Sequence, residues 1–162
     1  MNAEQKQIQL LALIRLRGTV NVPSKIKDTL KMLRVERPNY MTLIPKTPEY
    51  MGMIKKVKDF VTWGEVSKDT LEFVLRKRGE LTGRKKLTDE YIKENTKYSN
   101  ISEFASALFD GSATLSDVPQ LKRFFRLHPP RKGFKAIKKG FAEGGDLGYR
   151  GTTINELIVR MA

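Results

Sequence analysis

Between residues 125 and 141 the chain reads FRLHPPRKGFKAIKKGF, placing Arg126, Arg131, Lys132, Lys135, Lys138 and Lys139 in one run without an acid. Phe125, Phe134 and Phe141 are spaced between the charges, and the chain's only histidine, His128, lies in the same run. Long cations in such a row suit a phosphate backbone. Each phosphate neutralised releases counterions, so six contacts would give a log–log salt slope on the order of −4 to −5. Gly133 and Gly140 permit close approach, and Pro129 and Pro130 hold the chain extended. A histidine can move protons near neutrality, but His128 has no carboxylate nearby in sequence to orient it. Stacking on a base, or bonding to a phosphate or ribose, fits it better.

Other candidates are more dispersed. The stretch GGDLGYRG at 144–151 matches neither GxxxxGK[ST] nor a GxGxxG that follows a strand, so it is no nucleotide cradle. It reads either as a tight turn that projects Tyr149 and Arg150 at an RNA backbone or as a purely structural turn. Trp63 could offer a stacking ring, although a lone Trp in a short strand is more often core. Arg15, Arg17, Lys25, Arg37, Lys46, Lys55 and Lys56 gather on one small unit, each as well explained by solvation as by contact. Acidic pairs such as Asp89–Glu90 fall at helix starts, where the helix dipole accounts for them. No set of nucleophile, base and orienting group can be assembled. With no cysteine and one histidine, thiolate and His-based metal sites are excluded, and no cofactor is expected.

The elements that must position these side chains follow from periodicity. Residues 7–17 alternate Ile8, Leu10, Ala12, Ile14 and Leu16 with more polar neighbours, which predicts a strand with one buried face. Pro23 and Ser24 open a basic amphipathic helix, YMTLIP at 40–45 is a second strand, Thr47 and Pro48 start a second helix, and FVTWGEV at 60–66 is a third strand. The order β-α-β-α-β predicts an α+β unit, a small sheet with two helices on one face, whose other face needs a cover. Ser67 and Asp69 begin a further helix that stops at Gly79. Two more are expected, from Thr88 to about Tyr98 and from the Asn100–Glu103 capping pattern to Gly111. A Thr153–Glu156 box opens a short last helix that docks the chain end. The expected organisation is a core over 1–67, a helical lobe over 68–118, and a basic extended segment with a C-terminal helix packing back on the core over 119–162.

The chain has 162 residues and a formal charge of +13, and the excess is local: net +6 over 1–67, 0 over 68–118 and +7 over 119–150. A uniform solubility coat would not skip the middle of the chain, so a polyanion footprint is the better reading. The longest apolar run, Leu10–Ile14, is far too short to span a membrane, and the start MNAEQKQIQL is too polar for a signal peptide. A soluble, cytoplasmic protein without membrane or homo-oligomeric partners is expected.

The blocks IRLRGTVNV, IKDTLKMLRVERPNYMTLIP, GMIKKVKDFVTWGEV, LHPPRKGF and GGDLGYRGTTINELIVRM, taken in order, closely resemble the L30 family of large-subunit ribosomal proteins. The likeness is to the archaeal long form, related to eukaryotic L7, and runs from about Ile8 to Ala162. It implies an L30-like βαβαβ core with a helical and extended C-terminal extension. It also implies a non-enzymatic role in the ribosome, binding rRNA where 23S rRNA and 5S rRNA come together, beside neighbouring large-subunit proteins. A transient RNA chaperone of ribosome assembly is the alternative. Many relatives carry a second glycine where this chain has Lys132, an added charge expected to leave the turn intact. Eukaryotic members read Gly-Asn-Arg at Gly148-Tyr149-Arg150.

Overall fold

A computed structural model describes residues 9–162. Its first unit runs β1 (Leu10–Arg15), α1 (Ser24–Met32), β2 (Tyr40–Pro45), α2 (Pro48–Val57) and β3 (Val61–Glu65). Strand β1 lies between the other two and is antiparallel to both, with Ala12 opposite Leu43 on one side and Gly64 on the other. Thr47 caps α2 by accepting a bond from the Tyr50 amide, and Pro48 fills the first helical turn, where no amide donor is needed. The expected start of β1 at Gln7 and Ile8 lies outside the described residues.

The middle of the chain forms α3 (Lys68–Arg78), a small hairpin of β4 (Glu80–Leu81) and β5 (Lys85–Lys86), α4 (Asp89–Asn95) and α5 (Ile101–Asp110). Ser67, Thr88 and Asn100 cap the three helices through their side chains, and Gly111 ends α5 at φ 81°. Helix α4 is shorter than expected because Thr96 is already extended; Tyr98 lies beyond it and packs on Phe104 at 5.5 Å. The last part supplies β6 (Phe124–Arg126), β7 (Gly148–Tyr149) and α6 (Ile154–Met161). The Thr153–Glu156 capping box does not form. Thr153 is itself helical and its hydroxyl donates to the Arg150 carbonyl, because a 3-10 turn leads directly into α6.

The basic segment also widens the sheet. Strand β6 pairs antiparallel with β2, and β7 pairs parallel with β3, so five strands stand in the order β6-β2-β1-β3-β7. Both faces of this sheet are covered, which corrects the expectation of one buried face for β1. Leu11 and Leu13 point into a core with Leu30, Leu33, Ile54 and Val57 of the two helices. Ala12, Ile14 and Met41 point the other way, into a core with Leu71, Phe104, Phe125, Ile154 and Ile158. The cover for the second face is therefore the chain's own helical lobe and last helix.

Close packing of α6 depends on one missing side chain. A Cβ at Gly64 would lie 2.0 Å from the Gly151 carbonyl oxygen and 3.0 Å from Ile154 Cβ. Gly64→Ala should therefore force α6 off the sheet and cost about 1–3 kcal/mol or more, seen in urea unfolding as a lower midpoint with α6 amides exchanging first.

Candidate nucleic-acid interface

The run after Phe125 is not a free tail. The His128 amide donates to the Met161 carbonyl at 3.0 Å and the Arg131 amide to the Arg160 carbonyl at 3.1 Å. Arg160 returns the contact, its guanidinium donating to Arg131 O at 2.8 Å and to Gly133 O. His128 is tied down through its ring, with Nε2 3.0 Å from Ala162 O and Nδ1 2.6 Å from Pro129 O. Both ring nitrogens thus face backbone carbonyls, so the ring anchors the loop to the end of α6. By contrast Arg131, Lys132, Lys135, Lys138 and Lys139 are exposed, and their side chains make no hydrogen bond or ion pair among the described residues. Lys132 stands at φ 68°. The turn requires the left-handed backbone that glycine adopts without strain, so the added charge comes at a conformational cost on the order of 1 kcal/mol.

The far end of the loop closes on a buried ion pair. Arg150 Nη2 donates to Asp146 Oδ1 at 3.1 Å, with side-chain exposures of 6% and 8%. The same guanidinium donates to Thr62 Oγ1 and to the Asp146 carbonyl, and it lies 5.1 Å from the centre of the Phe141 ring. Asp146 Oδ2 takes the Ala136 amide at 2.9 Å. Burial pulls the Arg150 pKa down from its ordinary value, while Asp146 opposes that shift. Arg150 is therefore a loop anchor, the structural alternative for this turn, with its side chain committed to protein acceptors.

Two candidates on the sheet are buried. Arg15 is 1% exposed. Its Nε donates to Arg17 O, Nη1 to the Val35 and Glu36 carbonyls, and Nη2 to Gly18 O, so it stitches the segments that follow β1 and α1. Trp63 packs in the core beneath α1 and α2, with Tyr149 tilted beside it at 6.4 Å. Tyr149 itself is exposed, and its hydroxyl donates to Glu65 Oε1 at 2.7 Å, a bond that raises the phenol pKa. Arg17 lies over the Phe60 ring at 5.2 Å. Lys25, Lys46, Lys55 and Lys56 are exposed on or beside α1 and α2; the last two sit in the final turn of α2, where the helix dipole favours cations.

Arg37 and Arg126 meet in a place that the sequence did not reveal. They line an open groove of about 630 Å³ at the β6 edge, together with Arg34, Arg84, Lys122, Arg123 and one acid, Glu36. Tyr40 and Phe124, cross-strand neighbours on β2 and β6, stack there with centroids 5.0 Å apart and planes 12° from parallel. Glu80 receives Lys122 at 2.8 Å and also Arg126. Burial pushes the Glu80 pKa up, but these two cations outweigh it and hold the carboxyl below its ordinary 4.5. Arg37 was already a candidate contact, Arg123 lies next to Lys122 in the +7 segment, and Arg84 belongs to a segment of zero net charge, so charge density alone did not join them into one site. The visible signal was Gly83, a turn residue that stands at φ 84° in the tip of the β4–β5 hairpin.

Comparison with known proteins settles the family. A family model for ribosomal protein L30p/L7e matches residues 11–61, from β1 into β3. The chain is 54% identical over 152 residues to the large ribosomal subunit protein uL30 of Methanoculleus marisnigri, covering 94% of this chain and 99% of that protein. The uL30 proteins of Archaeoglobus fulgidus and Nanoarchaeum equitans are each 53% identical, over 94% and 93% of this chain and 99% and 97% of their own lengths. The chain belongs to the ribosomal protein L30p/L7e family. That membership makes it a ribosomal structural protein and not an enzyme, in accord with the α+β fold and βαβαβ core that the resemblance implied.

Two outcomes test the architecture of this surface. Asp146→Ala leaves a buried guanidinium without its carboxylate and should destabilise the fold by about 3–5 kcal/mol, with proteolysis of residues 131–147 rising first. Glu80 has a lowered folded-state pKa, so its stabilising contribution is complete above the unfolded value and fades as pH falls through the folded one. Thermal melts over roughly pH 3 to 6 should therefore show a shallower acid-side loss in Glu80→Gln than in the parent protein.

Proposed function

We propose that the protein is a structural constituent of the large (50S) ribosomal subunit that binds and stabilises rRNA near the junction of 23S rRNA with 5S rRNA. The observation that carries this reading is the loop 131–139: five exposed cations without partners among the described residues, on a backbone pinned at both ends by α6 and by the Asp146–Arg150 pair. A pinned loop loses little further conformational freedom on binding, so more of the counterion-release free energy remains as affinity. In this reading residues 1–67 form the rRNA-binding core, residues 68–118 stiffen it from behind, and residues 119–162 deliver charge while packing back on the core. Lys25, Lys46, Lys55 and Lys56 add exposed charge on the helical layer, Arg17 and Tyr149 flank the sheet, and neighbouring subunit proteins complete the surroundings.

The working experiment is sedimentation of a tagged copy from gently lysed host cells, with its molar ratio to the large subunit counted before and after a high-salt wash. One copy per large subunit, retained in high salt, is expected. Partial occupancy that washes away would instead identify a transient assembly chaperone. In vitro, replacing Arg131, Lys132, Lys135, Lys138 and Lys139 by Ala should flatten the log–log salt dependence of RNA binding by about 4. An unchanged slope would remove the loop from the interface.

A further inference from the structure

We propose that the groove at the β6 edge is a second RNA-backbone site, separate from the 131–139 loop, in which Arg34, Arg37, Arg84 and Arg123 bind phosphates without reading bases. The inference rests on the rRNA-binding reading given above. It is carried by the way the groove is built.

The four arginines come from three separate segments: the turn after α1, the tip of the β4–β5 hairpin, and the approach to β6. Glu80 is already committed to Lys122 and Arg126, the one acid in the lining, Glu36, makes no ion pair among the described residues, and none of the four arginines donates a side-chain hydrogen bond to a described residue. Six cations against the single acid Glu36 leave the groove lining strongly positive, and an anion bound there lowers that electrostatic cost.

Backbone geometry points the same way. Arg34 follows the α1 C-cap, with the Val35 amide bonded to Leu30 O and the Arg34 amide to Lys31 O. This is the helix ending that glycine normally occupies, yet here an arginine holds φ 63°. Arg84 holds φ 63° at the tip of its hairpin. Both arginines face a groove although glycine would be less strained at either position. A cation in a strained turn beside a concave surface is what a ligand contact would require.

The groove also indicates what its occupant recognises. Phe124 has Tyr40 stacked on it and Lys122 Nζ 6.0 Å from its ring centre, so that ring serves as a floor and not as a free platform for a base. Planar guanidinium forks match phosphate oxygens in pairs. An acidic peptide would need apolar pockets for anchoring side chains, and the two rings here are spent on each other.

The test uses the full chain with a mixed-sequence RNA oligonucleotide, single-stranded and as a duplex, titrated across a salt series. R34A/R37A/R84A/R123A should flatten the log–log slope by about 3 on either RNA, and combining it with the five loop alanines should subtract both decrements. R34G/R84G provides the folding control: its thermal midpoint should equal or exceed that of the parent, while its slope drops by roughly 1.5. Wild-type slopes in both groove variants, with the loop variant still impaired, would overturn the groove and leave the rRNA reading intact. Loss of poly-glutamate binding without loss of RNA binding would assign the groove to an acidic protein partner and overturn it equally. A parent protein with no salt-dependent RNA binding would overturn the rRNA reading and the groove with it.

Discussion

Strand β1 is buried on both faces, and the rest of the structure depends on that constraint. A three-stranded sheet with helices on one side leaves Ala12, Ile14 and Met41 facing outward, and apolar side chains on a pleated surface must be covered. The family model matches only residues 11–61, which end inside β3, so the covering elements belong to the remainder of the chain. Helices α3, α5 and α6 do the covering, and the strands appended at β6 and β7 protect both edges of the three-stranded unit. Cations presented at the periphery of such a frame are held by a packed core, even where they stand on loops.

The polar anchors extend that rigidity outward. Arg15 and Arg150 are the cations that the chain buries most deeply, and each is spent on protein acceptors: Arg15 on four backbone carbonyls, Arg150 on Asp146 and Thr62. Arg160, half-buried, holds two loop carbonyls. An arginine suits this work because its five donors form a fixed planar fork. The division of labour is thus spatial. The buried guanidinium groups of Arg15 and Arg150 fix the backbone, and the exposed cations of the loop and the four groove arginines make no side-chain bond to a described residue.

That division explains what could be read from the sequence. The βαβαβ order, the caps at Thr47, Ser67, Thr88 and Asn100, and the stop at Gly111 were legible because each is a local property of a few adjacent residues. Strands β6 and β7 were not, being three and two residues long and defined by partners about 80 positions away. Among the cations, sequence could mark density but not accessibility. IRLRG contains one arginine that is buried and one that lies over Phe60, and nothing local distinguishes them. The groove was hidden for the converse reason: its arginines are scattered in sequence and assembled only by the hairpin and the β2–β6 pairing.

The backbone carries a further signal. Among the described residues six non-glycine positions adopt positive φ, and three of them are the cations Arg34, Arg84 and Lys132. The other three, Asn21, Asn39 and Gln120, are polar amides; asparagine enters this region readily because its short side chain can bond locally. Arg and Lys have no such compensation. Glycine at each position would relax the turn, so folding stability alone gives no reason for a cation there. Each of the three nevertheless lies on the groove or the loop, two surfaces from which unpaired positive charge projects. The strain is small against the stability of a domain of this size, and it places a guanidinium or ammonium at the apex of a turn, where a phosphate can approach from outside.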